Sequence, residues 1–333
     1  MKVAVLGPGG VGGLVAGVLA QAGTEGHPRG TSGPAKSERR PRVDRPRVDV
    51  CVIARESTAE VIIERGVSVR SVMFGDIHAR VRASARLQEQ VDVLIVATKA
   101  AGLDSALERI EVEPDLVLPL LNGLDHLQVL RERFDPDKVL AGTIRVESDR
   151  PEPGVIVHTS QFLLVDMATH SPSARPGMEA LAQVFTDAGV PVRVVLPVSA
   201  RSEAQVMWSK LVRLNALACT TSAHNTLLGE IRSTPELRAE LIGTIEEACA
   251  VGQAEGAADV DPQTALAELE LAHDTLGSSM QRDISAGRPP ELDAIPGAIL
   301  RAAARHGLQC PTIERLVAII AARAGVPVPA VAG

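Results

Sequence analysis

Apolar positions first come in short unbroken runs and later at helical spacing. Residues 3–6, 50–54, 91–97 and 116–121 are apolar runs of strand length, the pattern of strands buried on both faces. Between Val61 and Leu87 the runs alternate, as in Val67-Ser68-Val69-Arg70 and His78-Ala79-Arg80-Val81-Arg82, which predicts a hairpin or strand extension. Residues 139–144, 155–157, 162–165 and 192–196 read as further strands, with a helix over 174–188. From Ser199 onward the pattern is helical. Helices are expected near 200–218, 235–255, 262–285, 291–306 and 312–324, with breaks at Gly256, Gly287, Pro289-Pro290 and Gly307.

The first stretch organises the rest. The run 3–6 breaks into Gly7-Pro8-Gly9-Gly10-Val11-Gly12 and resumes with the helical spacing of Val11, Leu14, Val15, Val18 and Leu19. In a strand, glycine turn and helix of this kind, Gly7 permits the sharp bend. Gly9 lets the backbone approach a pyrophosphate, and Gly12 lets the helix pack closely on the strand. Phosphates then rest on the free amides of the helix N-terminus. A glycine-rich turn without a ligand is the bland alternative. Lys2 and the small-residue run ending Ala20-Gln21-Ala22 also have the look of a secretory signal, but the five glycines and one proline of Gly7 to Gly13 would spoil its apolar segment. The expectation is therefore α/β plus all-α: a Rossmann-type doubly wound nucleotide-binding domain over 1–198, then a helical domain over 199–333 for substrate binding and dimerisation.

After Gly23 the composition changes. Residues 24–47 are rich in Gly, Pro, Ser and Arg, nearly devoid of apolar side chains, and carry a small repeat, PRVDR followed by PRVD. They read as a mobile insertion without a core of its own. Arg29, Lys36, Arg39, Arg40, Arg42, Arg45 and Arg47 could in principle attract a phosphate, but a solvated linker is the reading that composition favours. The second strand then ends at Arg55, where an arginine accommodates the extra phosphate of NADP and an acid would bind the ribose of NAD. Asp49 is the acidic candidate if the strand instead occupies residues 45–48. Two later strands deliver Lys99 and Asn122 at their carboxyl ends, the edge on which open parallel sheets bind ligands. Arg55, Lys99, Asn122 and the glycine turn should meet in one crevice.

Composition narrows the partners. Hydrophobic residues make up 45% of the chain, but there is no Tyr, one Trp and only 4 Phe, too few aromatic platforms to stack single-stranded bases. The net charge of -7 likewise argues against nucleic acid. Cys51, Cys219, Cys249 and Cys310 form no CxxC pair, so reduced thiols in a cytoplasmic protein are expected rather than a disulfide or zinc framework. No apolar run is long enough for a membrane span, and no metal site is expected. An apolar face among the later helices would suit a homodimer.

In the helical half, Met207-Trp208-Ser209-Lys210-Leu211 sets a lysine in an apolar helix. Partly desolvated, such a lysine protonates a carbonyl oxygen; snorkelling from a core helix is the bland alternative. Glu291, just after Pro289-Pro290, fits either a site acid or a simple helix N-terminal acid.

Taken in order, GPGGVG, IAR, ATKA, LNGL, WSKL and SSMQRDISAGRPPELDAIPG resemble the ketopantoate reductase (2-dehydropantoate 2-reductase) family along essentially the whole chain. The resemblance implies NADPH-dependent hydride transfer to a 2-keto acid in pantothenate synthesis. It implies that Lys210 is the general acid, that Glu291 orients substrate and Lys210, and that Lys99 and Asn122 line the crevice. It also implies that Arg55 meets the NADP phosphate and that Ser279 touches substrate. The chain departs from the family at Leu214 and Ala218, where asparagines are usual, and at Ile295-Pro296-Gly297. Asn215, one position off and about 100° round the helix, is a weak substitute. Two alternatives remain open: a reductase of a less polar ketone or imine, and a non-catalytic NADP-binding protein.

Overall fold

The computed structural model describes residues 1–24 and 48–331. Apart from Thr24, the expected insertion and its basic residues lie outside them. Strands β1 (Lys2–Leu6) and β2 (Asp49–Ile53) flank helix α1 (Gly10–Thr24) in sequence, and α2 (Glu56–Arg65) follows. The hairpin β3 (Val67–Ser71) and β4 (Gly75–Ala79) leads to β5 (Arg82–Ser84), β6 (Val93–Val96), α3 (Leu103–Leu107), β7 (Leu116–Pro119) and α4 (His126–Arg133). β1, β2, β5, β6 and β7 form one parallel sheet in the order β5-β2-β1-β6-β7.

Both faces of that sheet are covered, which is why its strands read as unbroken apolar runs. Val3 and Val5 face one cluster with Leu14, Val15 and Val18 of α1. Ala4 and Leu6 face the other, with Leu103, Leu107 and Leu130 of α3 and α4. The sheet does not continue past β7 as the run 139–144 suggested. Only Val139 bridges to Val117. Pro119 has no N–H to extend a ladder, and the chain crosses β7 so closely that a Cβ on Gly142 would stand 2.6 Å from the Pro119 carbonyl oxygen.

Strands β8 (Ala141–Arg145), β9 (Ser148–Glu152), β10 (Val155–His158) and β11 (Leu164–Ala168), helix α5 (Arg175–Asp187) and β12 (Val192–Val194) complete this half. They build two smaller sheets, β4-β3-β10-β9 and β12-β11-β8.

The helical half begins with α6 (Ala200–His224), capped by the Ser199 hydroxyl accepting from the Ser202 amide. Then come α7 (Leu228–Ser233), α8 (Pro235–Ala254), α9 (Pro262–Glu270), α10 (Ser279–Ser285), a π turn (Asp293–Gly297), α11 (Ala298–Arg305) and α12 (Pro311–Ala324). Trp208, Leu211 and Val212 of α6 sit in its core with Leu241 and Ile245 of α8 and Ile313 and Leu316 of α12. Two expectations are corrected here. The single helix over 262–285 is two, because Ser278 caps α10 by accepting from the Gln281 amide and Gly277 precedes it. The helix over 291–306 opens as a π turn, since Pro296 supplies no N–H and Gly297 reaches back five residues to the Leu292 carbonyl. Among the described residues no helix is long and apolar enough to cross a membrane.

Candidate active site

The glycine turn leaves β1 with Gly7 at φ +89°, a conformation that side chains other than glycine rarely adopt. A Cβ on Gly12 would stand 2.2 Å from the Gly7 carbonyl oxygen, and one on Gly10 2.3 Å from that of Ser148. Around Gly9 there is open space instead. The first N–H groups of α1, at Gly10 and Val11, have no carbonyl within the helix to bond. Pro8 is buried behind them. A backbone cradle with a bare position in front of a helix N-terminus fits a pyrophosphate.

At the neighbouring strand end, Arg55 follows β2 and is exposed, with no ion pair among the described residues. Asp49 begins the same strand and takes Arg82 at 3.0 Å, so the acidic alternative lies at the wrong end. The register runs from Lys2↔Asp49 to Leu6↔Ile53, so the strand beside β1 is 49–53; residues 45–47 of the alternative lie outside the described residues.

Lys99 follows β6, beside Thr98, whose methyl would touch a Cβ on Gly7. Its ammonium pairs at 2.7 Å with Asp283 of α10, which also accepts from Arg288 at 2.8 Å. This contact ties the sheet edge to the helical half. The polar residue Asp283 stands within a motif the sequence reading quoted, yet nothing in its spacing marks it as the partner of Lys99.

Asn122 follows β7 and joins the two halves a second time. Its Oδ1 accepts from Lys210 at 2.8 Å and its Nδ2 donates to Glu291 at 2.9 Å. Ammonium groups only donate and carboxylates only accept, so one amide orientation serves both. Gly123 makes this possible. At φ +91° its Cα lies so close to the π turn that a Cβ would meet the Ala294 carbonyl oxygen at 2.1 Å. Arg301 braces the same contact from α11, donating to Asp125 at 2.5 Å and Asp293 at 2.8 Å.

Lys210 is partly buried on α6, and burial pushes its ammonium down to about 8. Glu291 and Asp166 oppose that shift, while Arg145 and Arg213 add to it. His126, at the start of α4, is 4% exposed. Burial, helped by Lys210, pushes its imidazole down to about 3, and both ring nitrogens lack partners among the described residues. A neutral imidazole therefore lies on the Lys210 side of α4. Sequence reasoning missed it, because a lone histidine near a helix start carries no signal of its own.

Ser279 opens α10 and is partly buried; Ser278, bonded to Thr221 at 2.9 Å, anchors that helix to α6. Asn215 makes no hydrogen bond to Lys210, Asn122 or Glu291, and its Nδ2 has no partner among the described residues. It is 0% exposed, accepts from the Cys219 thiol at 3.3 Å, and sits about 140° round α6 from Lys210. Ala218 belongs to the helical core and Leu214 packs against it. The two departures thus place apolar surface in the bundle. All four cysteines are free and buried, and no metal-binding cluster exists among the described residues.

Comparison with known proteins shows the family. Residues 42–165 match the model described as "Ketopantoate reductase PanE/ApbA", and residues 204–324 match its C-terminal counterpart. The chain is 28% identical over 326 residues to "Uncharacterized oxidoreductase YkpB" of Bacillus subtilis, covering 96% of this chain and 97% of that one. It is 26% identical over 331 residues to a 2-dehydropantoate 2-reductase of Halobacterium salinarum, covering 96% and 98%. Among solved structures, D-mandelate dehydrogenase with NADH and anilino(oxo)acetate superposes with a TM-score of 0.79 at 19% identity, over 98% of this chain and 99% of that one. With both halves matched in order and the parallel sheet followed by a helical domain, the chain belongs to the ketopantoate reductase family.

Proposed function

We propose that this protein is an NADPH-dependent reductase of 2-keto acids, with 2-dehydropantoate as the substrate to test first. The observation that carries the reading is the chain Lys210–Asn122–Glu291 beyond the carboxyl end of β7, one strand from the Lys99 edge and two from the glycine turn. The nicotinamide supplies the hydride when bound. The glycine turn holds the pyrophosphate, and Arg55 takes the phosphate that distinguishes NADPH from NADH. Lys210 stabilises the charge that develops on the ketone oxygen and gives it a proton. Asn122 holds the Lys210 ammonium in place, and Glu291 orients both the amide and a substrate hydroxyl.

The sign of the pH dependence follows. Lys210 is an acid only while protonated, so kcat/KM is flat below about 8 and falls about tenfold per pH unit above it. A profile that keeps rising from pH 8 to 10 removes Lys210 from the acid role.

The decisive experiment follows NADPH absorbance with purified protein and 2-dehydropantoate, with NADH beside it. Turnover favouring NADPH supports the reading. In the Arg55→Gln variant the KM for NADPH rises about tenfold or more, the worth of a lost charge-assisted hydrogen bond, and that for NADH does not. Equal effects on both cofactors place the phosphate elsewhere.

A second reading, a reductase of another ketone, draws on Leu214 and Ala218, which offer no amide to a small polar acid. It predicts NADPH consumption with larger 2-keto acids and none with 2-dehydropantoate.

A further inference from the structure

A polar layer lies between α6 and the sheet β12-β11-β8, directly beside Lys210. Ala141 and Ala168 are register partners and pack against Val206 and Met207 of α6. Alternate strand residues share a face, so Thr143, Arg145 and Asp166 face α6 as well. The next row of the sheet, Thr143↔Asp166↔Arg193, is wholly polar. Along α6 the same direction runs from Val206 to Lys210 and on to Arg213. Arg213 and Arg145 are level with each other, since both approach Glu268 of α9, at 2.8 and 3.7 Å.

Within this layer the acids are already matched. Asp166 takes Arg193 at 2.8 Å and Glu268 takes Arg213 at 2.8 Å. Arg145 is the surplus cation. Its guanidinium stands 3.6 Å from Asp166 and 3.7 Å from Glu268, outside hydrogen-bond reach, and makes no hydrogen bond among the described residues. The side chain is 20% exposed and its Nε is buried without a partner. Thr143 Oγ1 has no hydrogen-bond partner among the described residues either, and Asp166 Oδ2 has only the 3.6 Å approach of Arg145. Asp166 and Glu268 are each hydrogen-bonded to another arginine, so the Arg145 guanidinium, 20% exposed and held only by two longer ion pairs, gains from an anion that completes its donors. A planar guanidinium suits a carboxylate best, through two parallel hydrogen bonds.

We propose that Arg145, backed by Arg213, anchors a carboxylate of the substrate while Lys210 holds the ketone oxygen. This deepens the reductase reading and rests on it. The carboxylate is either the one adjoining the ketone or one at the far end of a keto diacid.

The test compares a 2-keto acid, its amide and a 2-keto diacid with the NADPH-loaded full chain, in wild type, Arg145→Met and Arg145→Lys. For the adjoining carboxylate, wild type prefers acid over amide about 100-fold, and Arg145→Met collapses that ratio towards one by raising KM with little change in kcat. For the far carboxylate, the ratio that collapses is diacid over monoacid. Arg145→Lys keeps the charge facing Asp166 and Glu268 and recovers part of the preference; it carries the comparison alone if Arg145→Met does not fold, with KM about tenfold above wild type. Ratios unchanged in a folded variant overturn the proposal and leave the reductase standing. If no ketone is reduced, calorimetric titration of the NADP+-loaded protein with a 2-hydroxy acid decides. Binding lost in Arg145→Met upholds the anchor without the activity, and binding absent or indifferent to Arg145 overturns it.

Discussion

Replacing Lys210 by alanine lowers kcat for 2-keto acid reduction by about 10²- to 10⁴-fold, the usual contribution of a positioned proton donor. NADPH affinity stays within about twofold, because Lys210 lies on α6 and not in the glycine cradle. The loss is in kcat more than in KM, since the charge that the ammonium meets develops only as the hydride transfers. Asn122→Ala produces a smaller loss of the same kind, because its Oδ1 holds the Lys210 ammonium at 2.8 Å and its Nδ2 holds Glu291. Stopped-flow turnover with fluorescence titration of NADPH separates the two readouts. A Lys210→Ala enzyme within tenfold of wild type removes the lysine from the chemistry.

Two substitutions three residues apart are expected to fail for opposite reasons. Gly9→Val fills space that is empty in the fold, so the melting temperature is unchanged while NADPH binding weakens about tenfold or more, ~1.4 kcal/mol for each factor of ten. Gly12→Ala drives a Cβ against the Gly7 carbonyl oxygen, 2.2 Å away in the present backbone. Relieving that contact shifts α1 off β1 and costs about 1–3 kcal/mol of stability, whatever the cofactor does. Thermal denaturation with and without NADPH distinguishes them. A destabilised Gly9→Val, or a stable one that binds NADPH normally, places the pyrophosphate elsewhere.

Several groups of the site were legible because they sit where a local pattern ends. Lys99 and Asn122 follow apolar strands, and Arg55 follows a third, so the parallel-sheet rule puts them on one edge without any knowledge of contacts. Lys210, a charge in an apolar helix, was better explained by snorkelling on its own and was marked as the acid only by the family resemblance. Glu291 did not rise above its bland alternative on spacing alone, since an acid at a helix start is favourable anyway. Its hydrogen bond to Asn122 removes the ambiguity of position, and that bond spans 169 residues of sequence. Asp283, Arg145 and His126 were invisible for the same reason. Each acquires its meaning from a neighbour on another element: Lys99 for Asp283, the matched pairs Asp166–Arg193 and Glu268–Arg213 for Arg145, and the Lys210 charge for His126.

By itself, the sequence determined the element types and the glycine turn, because periodicity and backbone freedom are properties of a few adjacent residues. It also marked the change near Ser199, after which the elements are helices. Tertiary structure alone decided where the parallel sheet ends, at Pro119, and that the later strands form separate sheets. Strand pairing depends on which edge still has donors to offer, a property no single run carries. It alone also placed Asn215 and Ala218 in the bundle core and Lys210 at the cleft. Positions on one helix differ by about 100° per residue, so the packing partners of α6, rather than its own sequence, choose which face is left towards Asn122.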